Sequence, residues 1–377
     1  MPVSLNLYLH DRCNLECRYC YSAPTLNMGA VLAPEFIQPA AELVAENCAC
    51  KNLPMTVVFH GGGEPSLDLR YLITALEIVE RVAAQRDLPL FRYIATNGVM
   101  PASRATWLAG HFDLVGLSCD GPEYIQACQR PLPNRGSSTP FVEQTARILE
   151  EVGARVEIRV TVTPESVNHQ EEIARYLCEM LKPAAIHVEA VYLNGRITRN
   201  GGFSPDQASE FVLEFMRARR IAHQYGIAWL SSASRPGEMH ATPCQILQQA
   251  LQIIPGGSAS SCFKINNPRQ SGASDCLIGA SNPAGILAID QQQIELLQAK
   301  LVKLRASCPD CFNRFHCARG CPDVCPIKGD QFLDEFRCRT AQMLMKAGLA
   351  EIAAGLWDKL VDKTSLAGSE VKLDQMA

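Results

Sequence analysis

Cys13, Cys17 and Cys20 form a Cys-x3-Cys-x2-Cys triplet in the stretch Leu9 to Tyr21. A structural metal site normally closes with four protein ligands, so three thiols in one short loop are an unusual set. Three thiolates can hold a cube of four irons and leave one iron free for a small molecule. The triplet therefore points to a cluster that does chemistry on a bound ligand, rather than to a purely structural site.

Such a loop must be held by a rigid frame, and the surrounding sequence supplies one. Short apolar, β-branched runs at Val3–Leu9, Met55–His60, Leu90–Ala95, Asp113–Ser118, Arg155–Val162 and Ala185–Val191 read as strands. Helical patterns near 34–47, 67–86, 101–109, 140–152, 165–181 and 205–225 alternate with them. Thr163-Pro164-Glu165 and Ser204-Pro205-Asp206 carry helix-start signals. Six strand-then-helix units in series predict an α/β fold, a parallel sheet with right-handed crossovers curved into a partial (β/α)6 barrel. In such folds the functional loops lie at the carboxyl ends of the strands. The unusual motifs fall there: the triplet after the first strand, Gly61 to Pro65 after the second, Thr96-Asn97-Gly98 after the third and Ser118 to Pro122 after the fourth.

Composition narrows the class. The 377 residues are 47% hydrophobic and 20% charged, as in an ordinary globular core. A net charge of −4 gives no reason to expect a nucleic acid or an anionic membrane as partner. Neither a signal peptide nor an apolar stretch of spanning length is evident, which places the expected location in the cytoplasm. In that reducing setting, 17 cysteines read as metal ligands wherever they cluster. Cys48, Cys50, Cys119, Cys128 and Cys178 stand apart and read as packing residues or surface thiols. The regular alternation stops near residue 230, and 231–285 are rich in Ser, Gly, Pro and Asn. Helical periodicity returns near 288–305, before a dense cysteine module at 308–338. The expected organisation is a barrel over 1–230, a cysteine-rich domain over 231–345 and a helical tail over 346–377.

The triplet, with Tyr19 as an aromatic before its last cysteine, and Gly-Gly-Glu-Pro at Gly62, Gly63, Glu64 and Pro65 resemble the radical S-adenosylmethionine (SAM) superfamily. The resemblance covers roughly residues 1–225 and implies a [4Fe–4S] cluster on Cys13, Cys17 and Cys20, with SAM as its ligand. Glycines at 61–63 would let the backbone approach SAM, and Glu64 would accept hydrogen bonds from its ammonium group. The family also implies SAM contacts at Asn97 and Ser118, with Arg130 a candidate for the SAM carboxylate and Asp120 a catalytic candidate. Plainer readings stand beside these. Asn97-Gly98 is a turn dipeptide, Ser118 or Asp120 could cap the Gly121-Pro122 turn, and Arg130 could be a solvated surface arginine.

Cys308, Cys311, Cys317 and Cys321 follow a Cys-x2-Cys-x5-Cys-x3-Cys spacing, with Cys338 downstream and Cys244 and Cys262 upstream. This resembles the seven-cysteine SPASM extension of a branch of radical SAM enzymes. It implies two auxiliary [4Fe–4S] clusters: a distal one on Cys308, Cys311, Cys317 and Cys338, and a nearer one on Cys244, Cys262 and Cys321. For the fourth position of the nearer cluster Cys276, Cys325, Glu238 and His240 are candidates, or the position is open. Read alone, the same cysteines could hold structural zinc.

Enzymes with this extension mostly modify ribosomally made peptides or proteins, so the resemblance implies a peptide or protein substrate and an external electron donor such as flavodoxin or ferredoxin. Only two residues precede the first strand, so the winged-helix module of many peptide maturases is expected to be missing; either a separate leader-binding protein replaces it or the substrate is recognised differently. Sulfatase maturases lack that module too, which keeps formylglycine formation as the alternative. Their usual His-Asp pair is replaced here by Gln126-Ala127, which ranks that alternative second. A non-catalytic iron–sulfur or zinc protein is the third reading. Asp120, Glu189 and Asp323 are candidate general bases; a glutamate at the end of the sixth strand could also simply pair with Arg159 or Arg196.

Overall fold

The protein is described from a computed structural model over residues 1–191, 196, 201–234, 236–237, 249–270, 272–282, 286–305, 309–317 and 335–353. Six strands lie close to where hydrophobic patterning put them: β1 (Ser4–Leu7), β2 (Met55–Phe59), β3 (Leu90–Thr96), β4 (Leu114–Ser118), β5 (Val156–Val162) and β6 (Ala185–Ala190). They pair in chain order and all in parallel. β1 and β2 are buried throughout, as expected where a parallel strand is covered on both faces.

Helices cover the outer face: α1 (Ile37–Lys51), α2 (Leu69–Ala84), α3 (Ala102–His111), α4 (Glu123–Gln129), α5 (Thr139–Glu151), α6 (Gln170–Tyr176) and α7 (Ala208–Gln224). Leu5, Leu7, Val57, Phe59, Ile94, Val115, Leu117, Ile158, Val160, Ile186 and Val188 pack against them in the main core. The alternate residues Val58, Tyr93, Ala95 and Leu114 form a separate small cluster, which marks the inner face of the curved sheet.

Three details differ from the sequence reading. The helix expected at 165–181 is α6 preceded by a 3-10 turn at Val167–His169 and followed by a π turn at Leu177–Leu181. Thr163 and Ser166 hold that opening as a tight turn, the Thr163 N–H donating to Ser166 Oγ at 2.9 Å, so the helix starts later. α4 is too short to show helical periodicity and is absent from the expected helices. The stretch 231–285, read as irregular, contains β8 (Ala250–Ile253), β9 (Ser258–Ser260) and β10 (Leu277–Ser281). These strands have only three to five residues, and β9 and β10 are rich in Ser, Gly and Ala, so none is long enough for a pattern to stand out in the sequence.

The sheet continues past both ends of the six-stranded set. β7 (Ala228–Leu230) adds in parallel to β6, and β8 adds in parallel to β1. β9, β10 and β11 (Leu287–Ile289) then follow antiparallel, so residues beyond 230 extend the same sheet. The expected 288–305 helix is α8 (Gln291–Arg305), and the last described helix is α9 (Glu335–Ala353). Phe336 of α9 stacks on Phe203 at 4.4 Å and meets Phe211 of α7 edge-on at 5.9 Å. Arg337 donates to the carbonyls of Ala190 and Val191 at 3.1 and 2.9 Å, fastening α9 to the end of β6. Among the described residues, no helix is long and apolar enough to cross a membrane.

Candidate active site

The loop after β1 carries Cys13, Cys17 and Cys20, and its backbone is strapped to several strand ends. Asn14 donates through Nδ2 to the Val99 carbonyl beyond β3 at 2.8 Å. The N–H groups of Arg18 and Glu16 donate to the carbonyls of Gln129 and Pro131, both at 2.9 Å, beyond β4. Arg196 donates through Nη1 to the Cys17 carbonyl at 3.1 Å and through its backbone N–H to that of Cys20 at 3.3 Å. The loop is thus stretched over the carboxyl end of the barrel, where the sequence reading put it.

All three cysteines are free thiols. Burial pushes the Cys13 thiol up to about 12 and the Cys17 thiol up to about 11, and raises Cys20 as well. Thiols held protonated by burial become thiolates readily only when a cation binds them. Three such thiols in one braced loop fit a cluster that supplies that positive charge.

The Gly-Gly-Glu-Pro turn has a packing role in the chain itself. A Cβ on Gly61 would lie 2.2 Å from the Tyr8 ring, and one on Gly63 would lie 2.0 Å from the Arg12 carbonyl oxygen. These glycines are required by the chain that leads into the cysteine loop. The Gly63 and Glu64 N–H groups donate to the His10 and Arg12 carbonyls at 3.0 and 2.7 Å, joining the turn to that chain. Gly62 approaches the His10 carbonyl in the same way, at a positive φ of 70°. Pro65 begins a buried 3-10 turn.

Glu64 is almost fully buried. Its carboxylate accepts from Ser66 N–H at 3.1 Å, Thr96 Oγ1 at 2.7 Å and Asn97 N–H at 2.7 Å, tying the end of β2 to the end of β3. Burial raises its pKa, and these donors oppose the shift. Asn97 follows the turn reading in part, its Oδ1 accepting from Val99 N–H at 2.9 Å. Its Nδ2 reaches Asn14 Oδ1 at 2.8 Å and Cys13 Sγ at 3.9 Å, which brings it to the edge of the triplet. Ser118 ends β4 on the inner face, across from Arg159 of β5.

Asp120 and Arg130 form the buried polar centre of the site. Asp120 Oδ2 accepts from Tyr19 OH at 2.5 Å, Gln129 Nε2 at 2.8 Å and Arg130 Nε at 3.1 Å; its Oδ1 accepts from Thr161 N–H at 2.9 Å. The Arg130 guanidinium also lies over the Tyr19 ring at 5.2 Å, a cation–π contact. Arg130 is buried rather than solvated; burial opposes its charge, and the neighbouring Asp120 carboxylate outweighs that and holds it protonated. A carboxylate accepting four hydrogen bonds, one of them from arginine, is a brace for the loop. Gln126 and Gln129 complete this shell: Gln126 Oε1 accepts from Asp120 N–H at 2.8 Å. Neither glutamine was read from the sequence as functional; the short helix that carries them had no periodic signal.

Glu189 is partly buried, with Oε1 accepting from Ser232 N–H at 2.6 Å. Arg196 is directed to the cysteine loop, so the expected pairing with that residue is replaced by a bond to the chain after β7.

Several of the later cysteines also come together. Cys262 and Cys276 are buried at the facing ends of β9 and β10, where Ser261 N–H donates to the Cys276 carbonyl at 3.0 Å. Tyr8 donates its hydroxyl to the Phe263 carbonyl, which brings this pair to the inner face beside β1. Cys311 and Cys317 lie in consecutive turns and Cys338 on α9. Gln342 Nε2 reaches Cys338 Sγ at 3.5 Å and Cys311 Sγ at 3.8 Å. Cys244, Cys308, Cys321, Cys325, Asp323, Glu238 and His240 lie outside the described residues.

Residues 7–177 match the Radical SAM superfamily. The chain carries a radical SAM domain. That domain implies a [4Fe–4S] cluster and SAM, and makes this chain a relative of radical SAM enzymes. It is 25% identical over 173 residues to the cysteine-type anaerobic sulfatase-maturating enzyme of Clostridium perfringens, covering 44% of this chain and 46% of the relative. It is 38% identical over 117 residues to the GTP 3′,8-cyclase of Mycobacterium ulcerans, covering 31% of each. The chain thus spans less than half the length of these curated relatives. In fold it is similar to native anSMEcpe with bound AdoMet, with a TM-score of 0.74 at 18% identity, covering 94% of this chain and 99% of the other. The same enzyme with AdoMet and the Cp18Cys peptide gives 0.73 at 18% identity, covering 95% of this chain and 100% of the other.

Proposed function

We propose that this protein is a radical SAM peptide maturase, which modifies a side chain or Cα of a ribosomally made peptide. The observation that carries the reading is the braced cysteine loop at the carboxyl end of a barrel whose inner face presents Tyr8, His60, Arg159, His187 and Glu189. The likeness in fold to a maturase crystallised with a peptide supports it.

When bound, the cluster and SAM supply a 5′-deoxyadenosyl radical that abstracts one hydrogen atom from the substrate. Cys13, Cys17 and Cys20 would hold the cluster, with Asn97 beside Cys13 and Arg196 fixing the Cys17 and Cys20 carbonyls. The Tyr19–Asp120–Arg130 shell keeps the loop in one position and water out from behind it. Glu64 holds the ends of β2 and β3 at a fixed separation. Because Asp120 is spent on four donors, proton acceptance falls to Glu189, whose second oxygen is not used by the Ser232 bond.

Cys311, Cys317 and Cys338 with Cys308 would hold a distal auxiliary cluster, and Cys262 with Cys276, Cys244 and Cys321 a nearer one. Electrons would come from a flavodoxin or ferredoxin, and a separate protein would present the leader segment. Formylglycine formation is the second reading, favoured by the similarity to the anaerobic sulfatase-maturating enzyme of Clostridium perfringens.

Anaerobically reconstituted protein, given dithionite and SAM, is expected to release 5′-deoxyadenosine. Replacing Cys13, Cys17 and Cys20 together by Ala should abolish that release, and persistence of the product would refute the open-cluster assignment. Iron near about twelve atoms per chain supports three clusters, and about four rules out the auxiliary pair.

A further inference from the structure

The inner face of the sheet is graded. Val58, Tyr93, Ala95 and Leu114 form an apolar floor. Above it stands a charged layer. Gly116 leaves room for the Tyr93 hydroxyl, which lies 2.1 Å from where a Cβ would be and donates to Glu157 Oε1 at 2.7 Å. Glu157 Oε2 faces His187 Nε2 at 3.6 Å. Arg159, two residues along β5 from Glu157, stands level with Ser118 on one side and His187 on the other.

Arg159 is the unusual member of this layer. A guanidinium has five N–H donors in a fixed fork that fits a carboxylate. Here one of them reaches the Tyr93 hydroxyl at 3.5 Å, a long bond. Among the described residues, no carboxylate oxygen lies within 4.0 Å of this guanidinium. Glu157 is engaged by Tyr93 and His187, and one oxygen of Glu189 by Ser232. Both carboxylates nonetheless act at longer range, with Tyr93, to keep Arg159 fully charged. His60 faces it as a neutral ring, and Tyr8 and Tyr21 lie within reach of its field. A charged fork with most of its donors unused, enclosed by tyrosines and histidines, is an arrangement that an incoming anion completes.

SAM is the less suitable anion. The arginines that face the cysteine triplet are Arg130, beside Cys17, and Arg196, on the Cys17 and Cys20 carbonyls. Arg159 faces the interior beyond them.

We propose that Arg159 binds a carboxylate of the substrate inside the barrel, so that the preferred peptide carries an acidic side chain or its own C-terminus close to the residue modified. This rests on the peptide reading above. The test uses anaerobically reconstituted holoenzyme with SAM and two equimolar hexapeptide libraries, one C-terminally amidated and one with a free C-terminus. Peptides retained with the protein on ultrafiltration are sequenced by mass spectrometry. The amidated library should show Asp and Glu enriched at least tenfold at one position, if a side chain supplies the carboxylate. Retention confined to the free-terminus library would assign it to the C-terminus. In either case Arg159→Gln should abolish the preference and Arg159→Lys weaken it, while SAM affinity stays within twofold of the parent. Peptides retained with no preference for a carboxylate overturn the role of Arg159 and leave the peptide reading standing. Absence of retained peptide in both libraries overturns the peptide reading, and this proposal with it. An equal loss of SAM affinity in Arg159→Gln moves the residue to the cofactor and also refutes the proposal.

Discussion

The cysteines near the N-terminus and those near the C-terminus are held by different means. Around Cys13–Cys20 the bracing comes from far along the chain: Val99, Gln129, Pro131, Asp120 and Arg196 all contact the loop. Around Cys311 and Cys317 it is mostly local, with Arg314 and Cys317 N–H groups bonded to the Cys311 and Asn313 carbonyls. Among the described residues, α9 ties these turns to more distant structure, through Gln342 and through the Ala341 carbonyl that accepts from Asn313 at 3.0 Å. The first site is imposed by the sheet. Among the described residues, the second is held by spacing within the chain and by one docked helix. A loop shaped by the sheet keeps its form without a metal, whereas turns shaped by their ligands depend on it.

The largest effect should come from breaking the buried pair behind the first loop. Arg130→Met leaves Asp120 charged and unpaired in the interior, at a cost of about 3–5 kcal/mol in unfolding free energy. A loss below about 1 kcal/mol in urea denaturation would show that the sheet does not brace the loop through this pair. Gly63→Ala comes next, at about 1–3 kcal/mol, because its Cβ would collide with backbone that cannot move independently. Wild-type melting behaviour in that variant would mean the turn is not locked to residues 10–12.

His60 gives an effect that is absent at neutral pH and builds only as pH falls. Burial, followed by the Arg159 charge, lowers its pKa from 6.5 to about 3. The folded state therefore binds the proton less readily than the unfolded chain, and stability falls as pH drops from 6.5 toward 3. This group alone contributes about 1.4 kcal/mol per pH unit over that window. His60→Gln should flatten that part of the stability profile, and an unchanged slope would place the ring in water. The mildest change is Gln342→Leu, expected to alter stability by less than about 1 kcal/mol. Its informative readout is hydrogen exchange after iron removal. Protection should persist in β1–β6 and fall in 309–317 and 335–353; equal loss in both regions would erase the contrast between them.

The element pattern of the barrel was largely legible in the chain. Apolar β-branched runs located β1–β6 to within about two residues, because β1 and β2 are buried on both faces and β5 and β6 alternate apolar with polar residues. The short strands β8–β10 carried no such signature, since three to five residues are too few for a pattern to stand out. The triplet and the Gly-Gly-Glu-Pro turn were equally visible, as fixed residue types at fixed spacing. Their surroundings were not. That Gly61 and Gly63 make room for Tyr8 and Arg12, that Asp120 is consumed by Tyr19, Gln129, Arg130 and Thr161, and that Arg159 lies inside the barrel with little to bind are facts of packing. Sequence by itself determined which residues could hold iron and which runs could form a parallel sheet, because those properties belong to side-chain chemistry and local periodicity. Tertiary structure alone decided which charges meet and which remain free, because that depends on the register and curvature that bring distant strands together.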